Sequence, residues 1–139
     1  MTKGPIIIVE DDTDDQEIYA EAIRALGILN EMRFFNGADD ALDYLYSTKE
    51  QPFIILSDVN MPAMNGIQFK ERIQQDDYLR VKGIPFIFIS TNASPAAVRK
   101  AHQLSVQGYF QKPSSMNEIK SMLQLMFGYW ELCKHINNT

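Results

Sequence analysis

Five carboxylates crowd into residues 10–15 of "IIIVEDDTDD": Glu10, Asp11, Asp12, Asp14 and Asp15. A further acid, Asp58, ends the apolar stretch "FIILSD" (53–58). Carboxylates held close together repel, and raise one another's pKa unless a cation intervenes. Lys112, after "GYFQ", can offset one charge. The remainder suits Mg²⁺, a hard cation that takes a few carboxylate or carbonyl oxygens and keeps several waters. A divalent ion beside Asp58 would screen an incoming phosphoryl group. The carboxylate could then act as nucleophile and form an acyl phosphate by in-line displacement. Ser90 and Lys112 are suited to hold phosphoryl oxygens, one by hydrogen bond and one by charge.

Plainer readings cover the rest. Acids in a helix's first turn are stabilised by the helix dipole, so Asp14, Asp15 and Glu17 need no function. Asp12 reads as an N-cap, or as an outer contributor to the ion. His102 and His135 are isolated and read as surface residues; Cys133 reads as packed or partly exposed rather than reactive.

These groups need a scaffold that brings them together. Short apolar runs at Ile6–Val9, Met32–Phe35, Phe53–Leu56, Phe86–Ile89 and Val106–Phe110 alternate with segments of helical period. Three of the runs carry hardly any polar residue, as expected when helices cover both faces of a parallel sheet. Ile18, Tyr19, Ala22, Ile23 and Leu26 mark one helix, with Thr13 and Gln16 as a capping box and Gly27 as the C′ residue. Ala38, Ala41, Leu42 and Leu45 mark a second helix; Ile67, Phe69, Lys70 and Ile73 mark a third. Ser94-Pro95 opens a fourth, and a fifth runs from Ser115 towards Cys133 on a Met and aromatic stripe that reads as core. The order β-α, repeated five times, predicts an α/β fold: a doubly wound, five-stranded parallel sheet built from right-handed βαβ units. Ligands of such sheets bind outside the carboxyl ends of the strands. Glu10-Asp11, Asp58, Ser90 and Lys112 follow four different strands, so they converge on one edge.

Composition excludes other classes. With 139 residues, the chain makes one domain that can bury a core. A net charge of −5, without any Lys/Arg run, argues against nucleic acid. No stretch approaches the ~20 apolar residues that span a bilayer, and no signal peptide is visible. The single cysteine fits a reducing, cytoplasmic setting. Residues 134–139 read as a frayed tail beyond a domain of residues 4–133.

The motifs "IIIVEDD" (6–12), "SDVNMPAMNG" (57–66), "IPFIFIST" (84–91) and "GYFQKP" (108–113) together resemble the receiver domain of two-component response regulators, of the CheY-like, stand-alone type. Together with the helices between them they cover nearly the whole chain. The resemblance implies the flavodoxin-like strand order 2-1-3-4-5. It implies Asp58 as phosphoacceptor and a Mg²⁺ site of Glu10, Asp11, Asp58 and the backbone carbonyl of Asn60, with Glu10 acting largely through water. Ser90 and Lys112 take the family's hydroxyl and lysine positions, and Tyr109 that of the aromatic whose rotamer reports the switch. Met61-Pro62 and Gly66 shape the loop after the acceptor, proline by fixing φ and glycine by permitting a tight turn. The Lys112-Pro113 bond is expected to be cis. Four positions depart from the common pattern or tune it: Glu10 stands for the more frequent Asp, Thr91 for a smaller residue, and Asn60 and Asn92 flank the site where acyl-phosphate lifetime is set.

The implied function is a phosphorelay switch. A histidine kinase or histidine phosphotransfer protein would donate phosphate to Asp58. The face of the fourth helix, fifth strand and fifth helix would then change. The chain ends just after the last helix, so no output domain is expected, and output would pass to a downstream protein or make the chain a phosphate shuttle. Tyr129 and Trp130 exceed what one helix buries, which would suit a homodimer through the last helix. Two alternatives stand beside this reading. A small phosphohydrolase with an Asp58 nucleophile would need a second acid two residues on, where Asn60 cannot transfer protons. A degenerate receiver would bind partners only.

Overall fold

The structure, a computed structural model, describes residues 3–138. Five strands form the sheet: β1 (Ile6–Val9), β2 (Met32–Phe35), β3 (Ile54–Ser57), β4 (Phe86–Ser90) and β5 (Gly108–Gln111). All neighbouring pairs are parallel, in the order β2-β1-β3-β4-β5, as expected. The helices are α1 (Thr13–Ala25), α2 (Ala38–Ser47), α3 (Gly66–Gln75), α4 (Asp77–Val81), α5 (Pro95–Gln103) and α6 (Met116–Leu132).

Strand side chains alternate between two cores because successive Cβ atoms point to opposite faces. Ile7, Val9, Ile55, Phe86 and Phe88 pack under α2, α3, α4 and α5, with Leu45, Phe69 and Leu79 among their partners. Ile6, Ile8, Ile54, Leu56, Ile87 and Ile89 pack under α1 and α6, against Ile23, Met122 and Leu123. Both faces of β1, β3 and β4 are buried, which is why those runs carry almost no polar residue. Chain direction away from β1 reverses between β2 and β3, and the resulting crevice opens at the carboxyl ends of β1 and β3.

Several local expectations are corrected. The N-cap of α1 is Asp12, whose Oδ1 accepts from the amides of Asp14 and Asp15 at 2.8 and 3.2 Å; Thr13 and Gln16 form no capping box. A carboxylate caps more strongly at the positive helix end, and this frees Gln16 to bind the Glu10 carbonyl (2.6 Å) and Asn36 (2.8 Å). The polar segment 74–83 contains α4, one turn capped by Asp76 and pinned by buried Leu79. Five residues are too few to show a helical period. Among the described residues no peptide bond is cis, so Lys112-Pro113 is trans, the form that X-Pro bonds ordinarily favour.

The expected frayed tail is instead docked as far as Asn137, and Thr139 lies outside the described residues. Asn137 Nδ2 donates to the Lys3 and Gln51 carbonyls at 2.7 and 2.8 Å. His135, expected at the surface, stacks on Phe53 at 5.5 Å. These contacts offset the conformational entropy that would otherwise fray a terminus.

Candidate functional site

The end of β1 is fixed before any ligand is considered. The Glu10 amide donates to the Phe35 carbonyl at 3.0 Å, and Gln16 holds the Glu10 carbonyl. Next to it, the Asp58 amide donates to the Val9 carbonyl at 3.0 Å, so β1 and β3 deliver their acids side by side. Asp58 Oδ1 accepts from the Val59 amide at 2.7 Å and, more weakly, from Asn60 at 3.4 Å. Oδ2 is left facing Lys112 at 3.7 Å. The acceptor therefore has one oxygen held by backbone and one available for chemistry.

Lys112 arrives from the end of β5, where its amide donates to the Ser90 carbonyl. Its ammonium lies 2.8 Å from Glu10 Oε1 and 2.9 Å from Asp15 Oδ2, besides the longer approach to Asp58. Burial alone would push this lysine down. The hydrogen bonds to Glu10 and Asp15 outweigh burial and hold it above the usual lysine range, so it is charged at any physiological pH. Glu10 is almost fully buried, and burial is the main reason its carboxyl sits above the usual range, against the opposing pull of Lys112 and the Asp12 amide. Asp58 adds to the upward push.

Asp15 is the partner of Lys112 that its first-turn position concealed. It sits one helical turn before Tyr19, which is buried, and that i,i+4 spacing places both on the inner face of α1. The spacing was the available signal.

Oxygens of Glu10, Asp11 and Asp58 lie within 4.8 Å of one another. Two oxygens on one Mg²⁺ stand at most about 4.2 Å apart, and on Ca²⁺ about 5 Å. The all-oxygen donor set and its spacing thus fit a hard divalent cation with little adjustment. Because both Glu10 oxygens are already engaged, by Lys112 and by the Asp12 amide at 3.2 Å, exposed Asp11 and half-buried Asp58 are the freer donors. Asn60 is exposed beside them.

Ser90, fully buried at the end of β4, accepts from the Asn92 amide at 3.1 Å. Tyr109 packs its ring on Phe88 and donates its hydroxyl to the Asn92 carbonyl. Burial raises its phenol above the usual range. Ser90 and Tyr109 thus meet through the loop after β4, next to exposed Thr91.

The loop after the acceptor works differently from expectation. Its positive φ falls on Ala63 (66°), and Gly66 serves for close approach instead. A Cβ on Gly66 would lie 2.2 Å from the Asp58 carbonyl oxygen and 2.9 Å from Val59 Cα. The Gly66 amide donates to the Val59 carbonyl at 2.7 Å, which clamps α3 against the acceptor. Met61 is buried in the core below, while Pro62 is exposed.

A parallel sheet of this order, with clustered acids and one lysine at its carboxyl edge, defines a class of switch-point α/β domains. Residues 6–124 match the family described as the response regulator receiver domain, and the chain belongs to that family. Among its relatives is the chemotaxis protein CheY-3 of Vibrio cholerae, 32% identical over 123 residues that span 88% of this chain and 90% of that protein. The DNA-binding transcriptional regulator NtrC of Proteus hauseri is 29% identical over 138 residues, 99% of this chain but 28% of that protein. In fold, the phosphorylated cyanobacterial phytochrome response regulator RcpA is similar over 96% of this chain and 97% of its own, with a TM-score of 0.85 and 22% identity. The Mn²⁺-bound form of the response regulator Rcp1 is similar over 94% of this chain and 97% of its own, at 0.81 and 24%.

Proposed function

We propose that this receiver is a phosphorylation-dependent signalling switch in which Asp58 takes a phosphoryl group from a histidine kinase or histidine phosphotransfer protein. The observation that carries the reading is Asp58 Oδ2, which no backbone amide holds, set 3.7 Å from the Lys112 ammonium and beside Glu10 and Asp11. Asp11 and Asp58, with the Asn60 backbone carbonyl and Glu10 behind them, would hold Mg²⁺, which when bound supplies positive charge against the phosphoryl oxygens. The Asp58 oxygen forms the new P–O bond as the donor's P–N bond breaks, and the histidine nitrogen keeps the electron pair. Lys112 and the Ser90 hydroxyl bind phosphoryl oxygens and orient the group for in-line transfer.

Ser90 moving towards the phosphoryl group releases its bond with the Asn92 amide, and Tyr109 turns with the same loop. The face of α5, β5 and α6 then shifts population between two states. That face passes the signal to a downstream protein, or hands the phosphoryl group on. The receiver comprises residues 4–133 and works in the cytoplasm. No helix among the described residues is long and apolar enough to cross a membrane. Leu125, Tyr129 and Leu132, exposed along α6, suit a second copy of the chain.

The test is incubation with acetyl phosphate and Mg²⁺, read by intact mass. One added phosphoryl group, lost on acid or base treatment as an acyl phosphate is, and absent in Asp58→Asn, is the expected result. Labelling that survives Asp58→Asn overturns the assignment. Absence of both labelling and Mg²⁺ binding in the native chain would favour a receiver that only binds partners.

A further inference from the structure

At the opposite edge of the sheet from Asp58 lies a cavity of about 190 Å³ beneath α3 and α4. Its walls include Leu45, Ile73, Leu79 and Phe86. Phe86 is the first residue of β4, so the cavity opens at the amino ends of the strands and is separate from the acidic pocket. Lys70, on α3, also lines it.

Lys70 is 6% exposed, and its ammonium makes no ion pair among the described residues. The ammonium lies over the face of the Phe86 ring, 5.3 Å from the ring centroid. The neighbouring acids are engaged elsewhere. Glu71 faces Lys100 at 4.0 Å, while Asp76 caps α4 and accepts from the Tyr46 hydroxyl at 2.9 Å. Arg80, the other cation of the cavity, is paired with Asp77 at 2.8 Å. A charge on so buried a side chain, without a counter-charge, is a costly arrangement, and such a charge is ordinarily paired. Burial alone pushes this lysine below the usual range.

We propose that this cavity binds a small organic carboxylate, its carboxylate on the Lys70 ammonium and its apolar body against Leu45, Ile73 and Leu79. The ligand supplies the one group that the cavity lacks, an anion at Lys70. Size narrows the class. A dry apolar cavity of about 150 Å³ accommodates benzene, so this one suits an aromatic or branched aliphatic monocarboxylate of about ten heavy atoms. Leu45, Ile73, Leu79 and Phe86 disfavour anions that are polar all round, while Gln74, Ser105 and Gln107 line the rest of the cavity.

Titration of the full chain with benzoate, followed by ¹H–¹⁵N NMR, tests the assignment. Saturable shifts are expected at the amides of Lys70, Leu79, Phe86 and Gln107, with a low-millimolar Kd. Benzyl alcohol, of the same shape without the charge, should bind at least about tenfold more weakly. Lys70→Met should abolish that preference for benzoate. The proposal is overturned if benzoate produces no saturable shift at these amides, or if benzyl alcohol binds as well to the native chain. The benzyl alcohol comparison uses no variant, so it decides even where Lys70→Met folds poorly.

Discussion

The Lys112 ammonium donates to Glu10 Oε1 at 2.8 Å across 102 residues of sequence, and this bond ties the end of β5 to the end of β1. Asp15 and Asp58 share the same ammonium. The lysine is thus the counter-charge that lets three acids stand together and, on the proposed function, the cation that would meet a phosphoryl group.

Removal of that counter-charge should show in stability first. Lys112→Met leaves the buried Glu10 carboxylate unpaired, and breaking a buried pair from one side costs on the order of 3 kcal/mol. Urea unfolding near neutral pH should report this loss. Mg²⁺ should then raise the melting temperature of Lys112→Met by more than it raises that of the native chain, because the ion replaces the missing positive charge. Equal urea midpoints for the two proteins would show that the lysine stabilises nothing.

Gly66 offers a steric test of the acceptor loop. Ala at this position puts a Cβ 2.2 Å from the Asp58 carbonyl oxygen, against backbone that has little room to yield. Overpacking of this kind costs about 1–3 kcal/mol. Gly66→Ala should lower the urea midpoint accordingly and slow labelling by acetyl phosphate, since relief of the clash moves Asp58. Native labelling rates in a destabilised variant would separate the loop's packing from its chemistry.

Much of this was legible because each strand ends where its apolar run ends. Ile6–Val9 and Phe86–Ile89 are buried on both faces, and the polar residue that follows each is therefore delivered to the crevice. Asp15 was not legible as a partner of Lys112, because a first-turn acid is accounted for by the helix dipole alone. Gly66 was read as a turn residue, whereas what it requires is space beside Asp58, a tertiary fact that no local pattern encodes. The helix α4 and the docked tail were missed for a related reason. Each rests on a few specific anchors, Leu79 and Asp76 in one case and Asn137 and His135 in the other, and not on a period.

The tail anchor carries its own prediction. Asn137 Nδ2 donates to two backbone carbonyls, at Lys3 and Gln51, joining the C-terminal turn to the entry of β1 and the loop before β3. At about 0.5–1.5 kcal/mol for each bond, Asn137→Ala should cost about 1–3 kcal/mol by chemical denaturation. Amide exchange of the segment around Gln51 should accelerate in the same variant. A midpoint indistinguishable from native would return residues 134–138 to the status of a loose tail.

Lys70 gives a dependence on pH whose sign is fixed by burial. Its folded value lies below the ordinary 10.5, so between the two values the unfolded chain binds more protons than the folded one. The stability cost of this residue is therefore fully present below its folded value, and is relieved as pH rises through the window up to 10.5. Lys70→Met keeps the length and apolar stem and removes the charge. It should be more stable than the native chain near neutral pH, and its advantage should shrink as the solution becomes alkaline. Paired urea titrations at neutral and alkaline pH check this, with other titrating groups common to both proteins. An advantage that stays flat with pH would mean that the ammonium is solvated in the folded chain, and one that grows that it is paired; either way the carboxylate cavity would lose its charged anchor.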